Sequence, residues 1–259
     1  MNSREIITKI EEKWQPSYAL EWDNVGLLVG AAEKEVKHVL VALDATDDVV
    51  NQAINIGADM IISHHPMIFR EIKKVTDEDF IGRRIITLIK NEISCYAAHT
   101  NFDVKEMARL NEESLELREA KVLQVTANET VPQGVGRVGK SDKPSSLRDY
   151  AQYVKTQLGV LDIRVFGDPE KEIKTVAISG GAGNGVVEDA IAAKADVLVT
   201  GDISHSKGLD AMSEGMAIID AGHYGTEYVF VEFVKDTLIE MFPTIKVTAA
   251  KEKTPFWTA

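Results

Sequence analysis

Apolar residues recur along this chain with two different periods. Ile6, Ile7, Ile10 and Trp14 fall on one helical face behind Ser3, a candidate cap, and Pro16 closes the segment, which predicts a first helix. Leu20 to Gly30 reads as a turn entering a short strand. The run "HVLVAL", nearly all β-branched or leucine, has the unbroken apolarity of a strand covered on both faces. Behind it, cap-type residues precede Val49, Val50, Ala53 and Ile54 at helical spacing, Gly57 stops the helix, and "DMIIS" is strand again. This is a βαβ unit, and its two strands are expected to be parallel with a right-handed crossover.

The same alternation continues. A helix is predicted around Ile81 to Ile89, then a strand "ISCYAA", a loop "HTNFD" and a charged amphipathic helix through about Leu117. Alternating strands occupy Lys121 to Lys140, and Leu147 to Leu158 reads as a helix. A second βαβ-like unit follows, built from strand "TVAIS", glycine-rich turn "GGAGNG", helix "VVEDAIAAKA" and strand "DVLVTGD". A short helix near Leu209, a strand "MAIID", a loop "AGHYGTE", a helix to Phe242 and a final strand "IKVTAA" complete it.

The two halves resemble each other. Val49 to Pro66 and Val186 to Ile203 are identical at six of eighteen positions, and "ADMIIS" matches "ADVLVT" conservatively throughout. The next strand of each half ends alike, with His99 four residues before Asp103 and His223 four residues before Glu227. The expectation is a duplicated α/β fold with mixed, largely parallel sheets. A first lobe would span residues 1–125 and a second 126–259, with a site at their interface.

Composition narrows the function classes. Lys and Arg number 29 against 41 Asp and Glu, a net charge of −12 that repels a nucleic-acid backbone in the absence of a segregated basic patch. The pairs Lys73-Lys74 and Arg83-Arg84 sit among acids and read as solvated helix faces. A single cysteine, Cys95, excludes a disulfide framework and thiolate-only zinc sites, which suits a reducing cytoplasm. No apolar run approaches the ~20 residues of a membrane span. No G-x-S-x-G elbow is present, and Cys95 lies inside a predicted strand, so serine or cysteine nucleophiles have little support.

Candidate chemistry gathers at strand ends. In an open α/β sheet the ligand crevice lies beyond the carboxyl ends of the strands. His64-His65, His99 with Asp103, Asp202, and His223 with Glu227 all fall there. Imidazole nitrogens and carboxylate oxygens are ligands for zinc, manganese, iron, cobalt or nickel. Adjacent residues of an extended segment project oppositely, so His64 and His65 are read as serving two ions rather than one. Spacing of four lets His223 and Glu227 share a helical face, and the longer Glu reaches far enough to bridge. Three histidines and two carboxylates leave open positions, the mark of a reactive site. His38 reads as a strand-entry residue and His205 is left open. "GGAGNG" reads as a tight strand-to-helix turn, since Val186 stands where the dinucleotide fingerprint needs glycine. Asp23 and Asn24 could cap a turn or line the crevice.

At these residues the chain resembles the Nif-three-like dinuclear metal centre family, whose members are often named GTP cyclohydrolase I type 2 homologs. The resemblance rests on "WDNVGLLVG", "SHHP", "HTNFD", "GGAGNG", "ADVLVTGD" and "DAGHYGTE", and covers nearly the whole chain. It implies two divalent metal ions per subunit, held by His64, His65, Asp103, His223 and Glu227, with Glu227 bridging. His99 lies outside that set and becomes a proton-transfer or outer-sphere candidate. The resemblance further implies two similar α/β lobes, here without the domain that longer members insert, and a toroidal homohexamer. Gly225 and Leu28 depart from the family's more usual alanine and glutamine without removing a ligand. The implied function is a metal-dependent hydrolase of a nucleotide or other phosphorylated small molecule. The alternative is a non-enzymatic protein of metal storage, delivery or regulation through partner proteins.

Overall fold

The computed structural model describes residues 1–258, with Lys143 and Pro144 described by their backbone alone. It divides into two compact units: residues 1–102 with 230–255, and residues 103–229 with the C-terminal end from Phe256.

The first unit opens with α1 (Ser3–Lys13), whose Ile6, Ile10 and following Trp14 are fully buried. Its cap is Asn2 rather than Ser3: the Asn2 side chain accepts from Glu5 N–H while Glu5 reaches back to Asn2 N–H, a reciprocal capping box. Ser3 is the first helical residue and is itself buried. Strands β1 (Gly26–Val29) and β2 (His38–Ala42) follow, then α2 (Asp47–Ile56), held by a Thr46 cap and ended by Gly57 at φ +66°. β3 (Met60–Ser63), α3 (Phe80–Lys90), β4 (Ser94–Ala97) and the single turn α4 (Thr100–Phe102) complete the first pass through this unit.

In the second unit the helix widens to a π-type turn over Asp103–Met107 and resumes as α5 (Ala108–Ser114). The hairpin β5 (Arg118–Ala127) and β6 (Gln133–Ser146) leads to α6 (Leu147–Gln157), β7 (Arg164–Phe166) and β8 (Glu172–Ala182). Then come α7 (Val187–Ala192), β9 (Val197–Gly201), α8 (His205–Ser213), β10 (Ala217–Asp220) and α9 (His223–Glu227). The chain returns to the first unit through α10 (Val229–Met241) and β11 (Lys246–Ala249).

The first sheet has the order β1-β4-β3-β2-β11, with β2, β3, β4 and β11 parallel and β1 antiparallel at the edge. The second runs β5-β6-β8-β9-β10-β7, with β8, β9 and β10 parallel and the other pairings antiparallel. Read from one edge, both sheets begin with an antiparallel strand and continue with three parallel strands in reverse chain order. The duplication expected from sequence is therefore a repeated topology. The two sheets differ on the far side of β2 and β8, where β11 adds in parallel and the β6–β5 hairpin adds antiparallel.

The unit boundary does not follow the expected one. A cut near residue 125 falls inside β5, whose pairing with β6 and, through it, β8 makes it part of the second sheet. The final strand, expected in the second half, pairs with β2: Lys246 N–H donates to Lys37 C=O, and Ala250 N–H to Val41 C=O. Hydrophobic pattern reports that a segment is a strand and is silent about which sheet edge it joins.

Every residue of β2, β3, β4, β9 and β10 is buried, as parallel strands covered on both faces require. In the first unit Leu40, Ile61 and Cys95 pack against Val49, Val50 and Ala53 of α2 and Leu88 of α3. Trp14 stands edge-on to Phe102 at 4.9 Å between ring centroids, and its carbonyl accepts from Asn101 Nδ2 at 2.7 Å. That pair ties α1 to the segment that carries His99. Trp14→Ala is expected to lower unfolding free energy by about 3–5 kcal/mol, measured by urea denaturation followed by circular dichroism; a loss under ~1 kcal/mol would contradict this packing.

Candidate metal centre

β3 ends at Ser63, and the chain bends at once. His64 N–H donates to Ala42 C=O, His65 N–H to Leu43 C=O, and Ser63 Oγ–H to His65 C=O at 2.8 Å. Because the strand has already stopped, the two histidines do not project to opposite faces as a continued strand would require. Their rings lie 4.9 Å apart, tilted by 48°, and both face His99, with centroid distances of 5.2 and 5.4 Å. His64, His65 and His99 each offer a donor atom within 4.8 Å of the others. His64 is wholly buried on the aromatic bed of Phe102 and Phe230.

The decisive detail is what holds each ring. His64 Nδ1 bonds to the Ala98 carbonyl at 2.9 Å, His65 Nδ1 to Asp44 Oδ1 at 2.9 Å, and His99 Nδ1 to Asp23 Oδ1 at 2.8 Å. A carbonyl or carboxylate oxygen only accepts, so each Nδ1 carries the proton. In the neutral ring the lone pair is then on Nε2. This is the outer arrangement of metal-ligating histidines, in which an oxygen acceptor fixes tautomer and ring plane. His38 shows the contrast: its Nδ1 bonds to Ile56 C=O at the end of α2 and its Nε2 to Thr248 Oγ1 of β11, so both nitrogens serve the fold.

Asp23 is itself locked. Its other oxygen accepts from Thr100 N–H at 3.0 Å and Thr100 Oγ–H at 2.5 Å, and its side chain has no exposed surface. Burial alone would raise the Asp23 carboxyl, but donation from His99 and Thr100 outweighs it and holds the group at about 2. Neighbouring Asn24 donates to Ile68 C=O at 2.6 Å, tying this turn to the loop behind His65.

The second unit repeats the device at the ends of β9 and β10. His223 opens α9, where its Nδ1 bonds to Asp202 Oδ2 at 2.9 Å and its Nε2 lies 3.0 Å from Glu227 Oε2. Two donors on one ion with bonds of about 2.0–2.2 Å stand roughly 3 Å apart. Glu227 is buried, and the segment read as a loop is helical, which is what sets the two side chains on one face. Asp202 holds its position with φ at +49°, a left-handed backbone rare outside glycine. Asn184 braces that turn, donating to Asp202 C=O and accepting from Ser204 N–H. Asp103, also read as a loop residue, is the first residue of the π-type turn and is half-buried. His205 is exposed in the first turn of α8 and joins none of these groups among the described residues.

The glycine-rich stretch has a different duty from anion binding. Gly180 and Gly181 extend β8 directly under Glu227, and a Cβ at Gly181 would press on Glu227 Oε1 and stand 3.4 Å from His223 Nε2. Gly181 N–H donates to Thr226 Oγ at 3.0 Å, pinning α9 to the strand. Gly201 likewise leaves room for the backbone of Gly222 and His223. The space that an alanine at Gly225 would need is filled by Val160.

The Duf34/NIF3 (NGG1p interacting factor 3) family model matches residues 1–255. The chain belongs to the Duf34/NIF3 family. A protein of Clostridium perfringens named GTP cyclohydrolase 1 type 2 homolog is 34% identical over 260 residues, covering 99% of each chain. One of the same name from Streptococcus pneumoniae is 36% identical over 239 residues, 90% of this chain and 88% of the other. A solved Bacillus cereus protein related to NIF3 superposes with a TM-score of 0.93 at 27% identity, covering 100% of this chain and 99% of that one. The fold of this NIF3-family chain is thus that of solved relatives over its full length.

Sequence reasoning singled out every histidine of these groups and left three of their partners unplaced or open: Asp44, Asp23 and Asp202. The readable signal was position, since Asp44 and Asp202 each lie just beyond a buried parallel strand. Gly181→Ala is expected to displace Glu227 and force a left-handed alanine, costing about 1–3 kcal/mol, seen as a lowered denaturation midpoint with reduced metal binding. Unchanged stability and metal content in this variant would refute the supporting role of the glycines.

Proposed function

We propose that this chain binds two divalent metal ions through His64, His65, Asp103, His223 and Glu227 and hydrolyses a nucleotide or another phosphorylated small molecule. The observation that carries the reading is the bonding of the imidazoles: Nδ1 of His64, His65 and His223 is each held by an oxygen acceptor, the outer arrangement of metal-ligating histidines. Three imidazoles and two carboxylates suit zinc, iron, manganese, cobalt or nickel, and five protein donors on two ions leave coordination positions open. Bound ions supply Lewis acidity at those positions, lowering the pKa of water and polarising a substrate oxygen. With the ions bound, Glu227, the longer carboxylate, would be the residue that serves both.

His99 carries the proton in this scheme. Its Nδ1–H is held by the Asp23 carboxylate, which fixes the ring plane and makes Nε2 the atom through which a proton is taken up or given. The name shared by the relatives lends support to a nucleotide substrate. The assembly we propose is a homo-oligomer, a toroidal homohexamer by family resemblance, in the cytoplasm. A free, buried Cys95 is compatible with that compartment, and no helix among the described residues is long and apolar enough to cross a membrane.

Elemental analysis of the purified chain is expected to give two divalent ions per subunit, with Glu227→Gln losing at least one. Asp44→Ala and Asp202→Ala, which remove partners rather than ligands, are expected to weaken metal binding by roughly 10–100-fold. Turnover in a screen that includes GTP, with formate release followed, is expected to require metal and to vanish with chelator. Loaded protein that turned over nothing, yet passed its ions to an acceptor, would replace the hydrolase with the storage or delivery reading.

A further inference from the structure

One cluster in the first unit plays no part in metal binding. Trp22 and Phe69 are large aromatic side chains left 57% and 51% exposed, although each sits close to a candidate reactive group. Their ring centroids are 5.8 Å apart at a tilt of 52°, and they lie 5.9 and 6.4 Å from the His99 ring. They line a broad depression of about 790 Å³ with Arg70 and Glu71. Phe69 and Arg70 also line a cavity of about 410 Å³, as do Asp44 and His65. Phe69, Arg70 and Glu71 line both, so the aromatic surface adjoins the hollow that His65 lines, and all of these residues belong to the first unit.

Its charge is as informative as its shape. The chain as a whole carries −12, yet the guanidinium of Arg70 is exposed at this aromatic surface and engaged by no ion pair among the described residues. Arg84, further along the same cavity, is committed differently: it bonds to Asp47 at 2.6 Å and lies 5.0 Å above the Phe80 ring. Arg70 is thus the cation available to a ligand. Exposed aromatic faces bind flat π systems by stacking, and an adjacent guanidinium binds carboxylate or phosphate in a fork of N–H donors.

We propose that Trp22, Phe69 and Arg70 form a ligand-recognition subsite for a planar heteroaromatic ring bearing an anionic group, the ring lying on Trp22 and Phe69 and the anion on Arg70. This deepens, and rests on, the reading of a metal-dependent enzyme, because it names how the substrate is held beside His65 and His99. Glu71, at the rim, is placed to accept from a ring N–H or amino group. Neither aromatic side chain is needed in the core, so their truncation tests binding without dismantling the fold.

The test is calorimetric titration of chelator-stripped protein with the four ribonucleoside 5′-monophosphates, and with guanosine and ribose 5-phosphate as the separated ring and anion. Working without metal keeps this outcome independent of the metal-centre reading, whose own readout is ion stoichiometry in the same variants. At least one nucleotide is expected to bind, with Trp22→Ala and Phe69→Ala each weakening it about tenfold or more. Arg70→Ala is expected to weaken the nucleotide while leaving guanosine unchanged, and all three variants keep wild-type metal content. Absence of binding by every nucleotide would overturn the subsite. So would affinities that are the same in Trp22→Ala and Phe69→Ala as in the parent protein.

Discussion

A hydrogen bond from an imidazole Nδ1–H to an oxygen acceptor is the interaction on which the functional architecture depends. It occurs four times, at His64, His65, His99 and His223, with acceptors drawn from Ala98, Asp44, Asp23 and Asp202. Each acceptor lies at or beside the end of a strand or in a turn locked by its own bonds. The bond does two things at once: it selects the tautomer and it fixes the plane of the ring, so that Nε2 is a directed donor before any ligand arrives. A histidine whose two nitrogens are both hydrogen-bonded to structural groups of the fold, as His38 is, has lost that capacity.

Backbone arrangements in both units serve those bonds. The halt of β3 at Ser63 is what turns two sequence neighbours to the same side. In the second unit, glycine at 181 and 201 lets β8 and β9 approach Glu227 and His223 more closely than any side chain would permit. Asp202 accepts a left-handed backbone, braced by Asn184, to present its carboxylate to His223. Local strain of this kind, of order 1–3 kcal/mol, persists where surrounding bonds over-determine it.

Much of this was legible in the residues alone. The buried parallel strands appear as unbroken apolar runs, and the rule that ligands gather beyond their carboxyl ends pointed to the histidine groups. What escaped did so for physical reasons. β7 is three residues long and largely solvent-facing, so it carries no apolar signature. "HTNFD" and "AGHYGTE" are rich in turn formers, yet each turns helical, from Thr100 and from His223, because bonds donated by Thr100 to Asp23 and by Gly181 to Thr226 fix their starts or sides. The opposite projection expected of His64 and His65 assumed a strand that had already ended. Carboxylate partners such as Asp44 are invisible to spacing arguments, since they reach their histidines from another strand, 21 residues away.

The account is tested most directly by anomalous diffraction from crystals of the zinc-loaded protein, which locates each ion and the nitrogen that binds it. Zinc bound at Nε2 of His64, His65 and His223, with every Nδ1 still bonded to its oxygen partner, is the predicted result. Zinc bound at Nδ1, or no zinc near these rings, would contradict it.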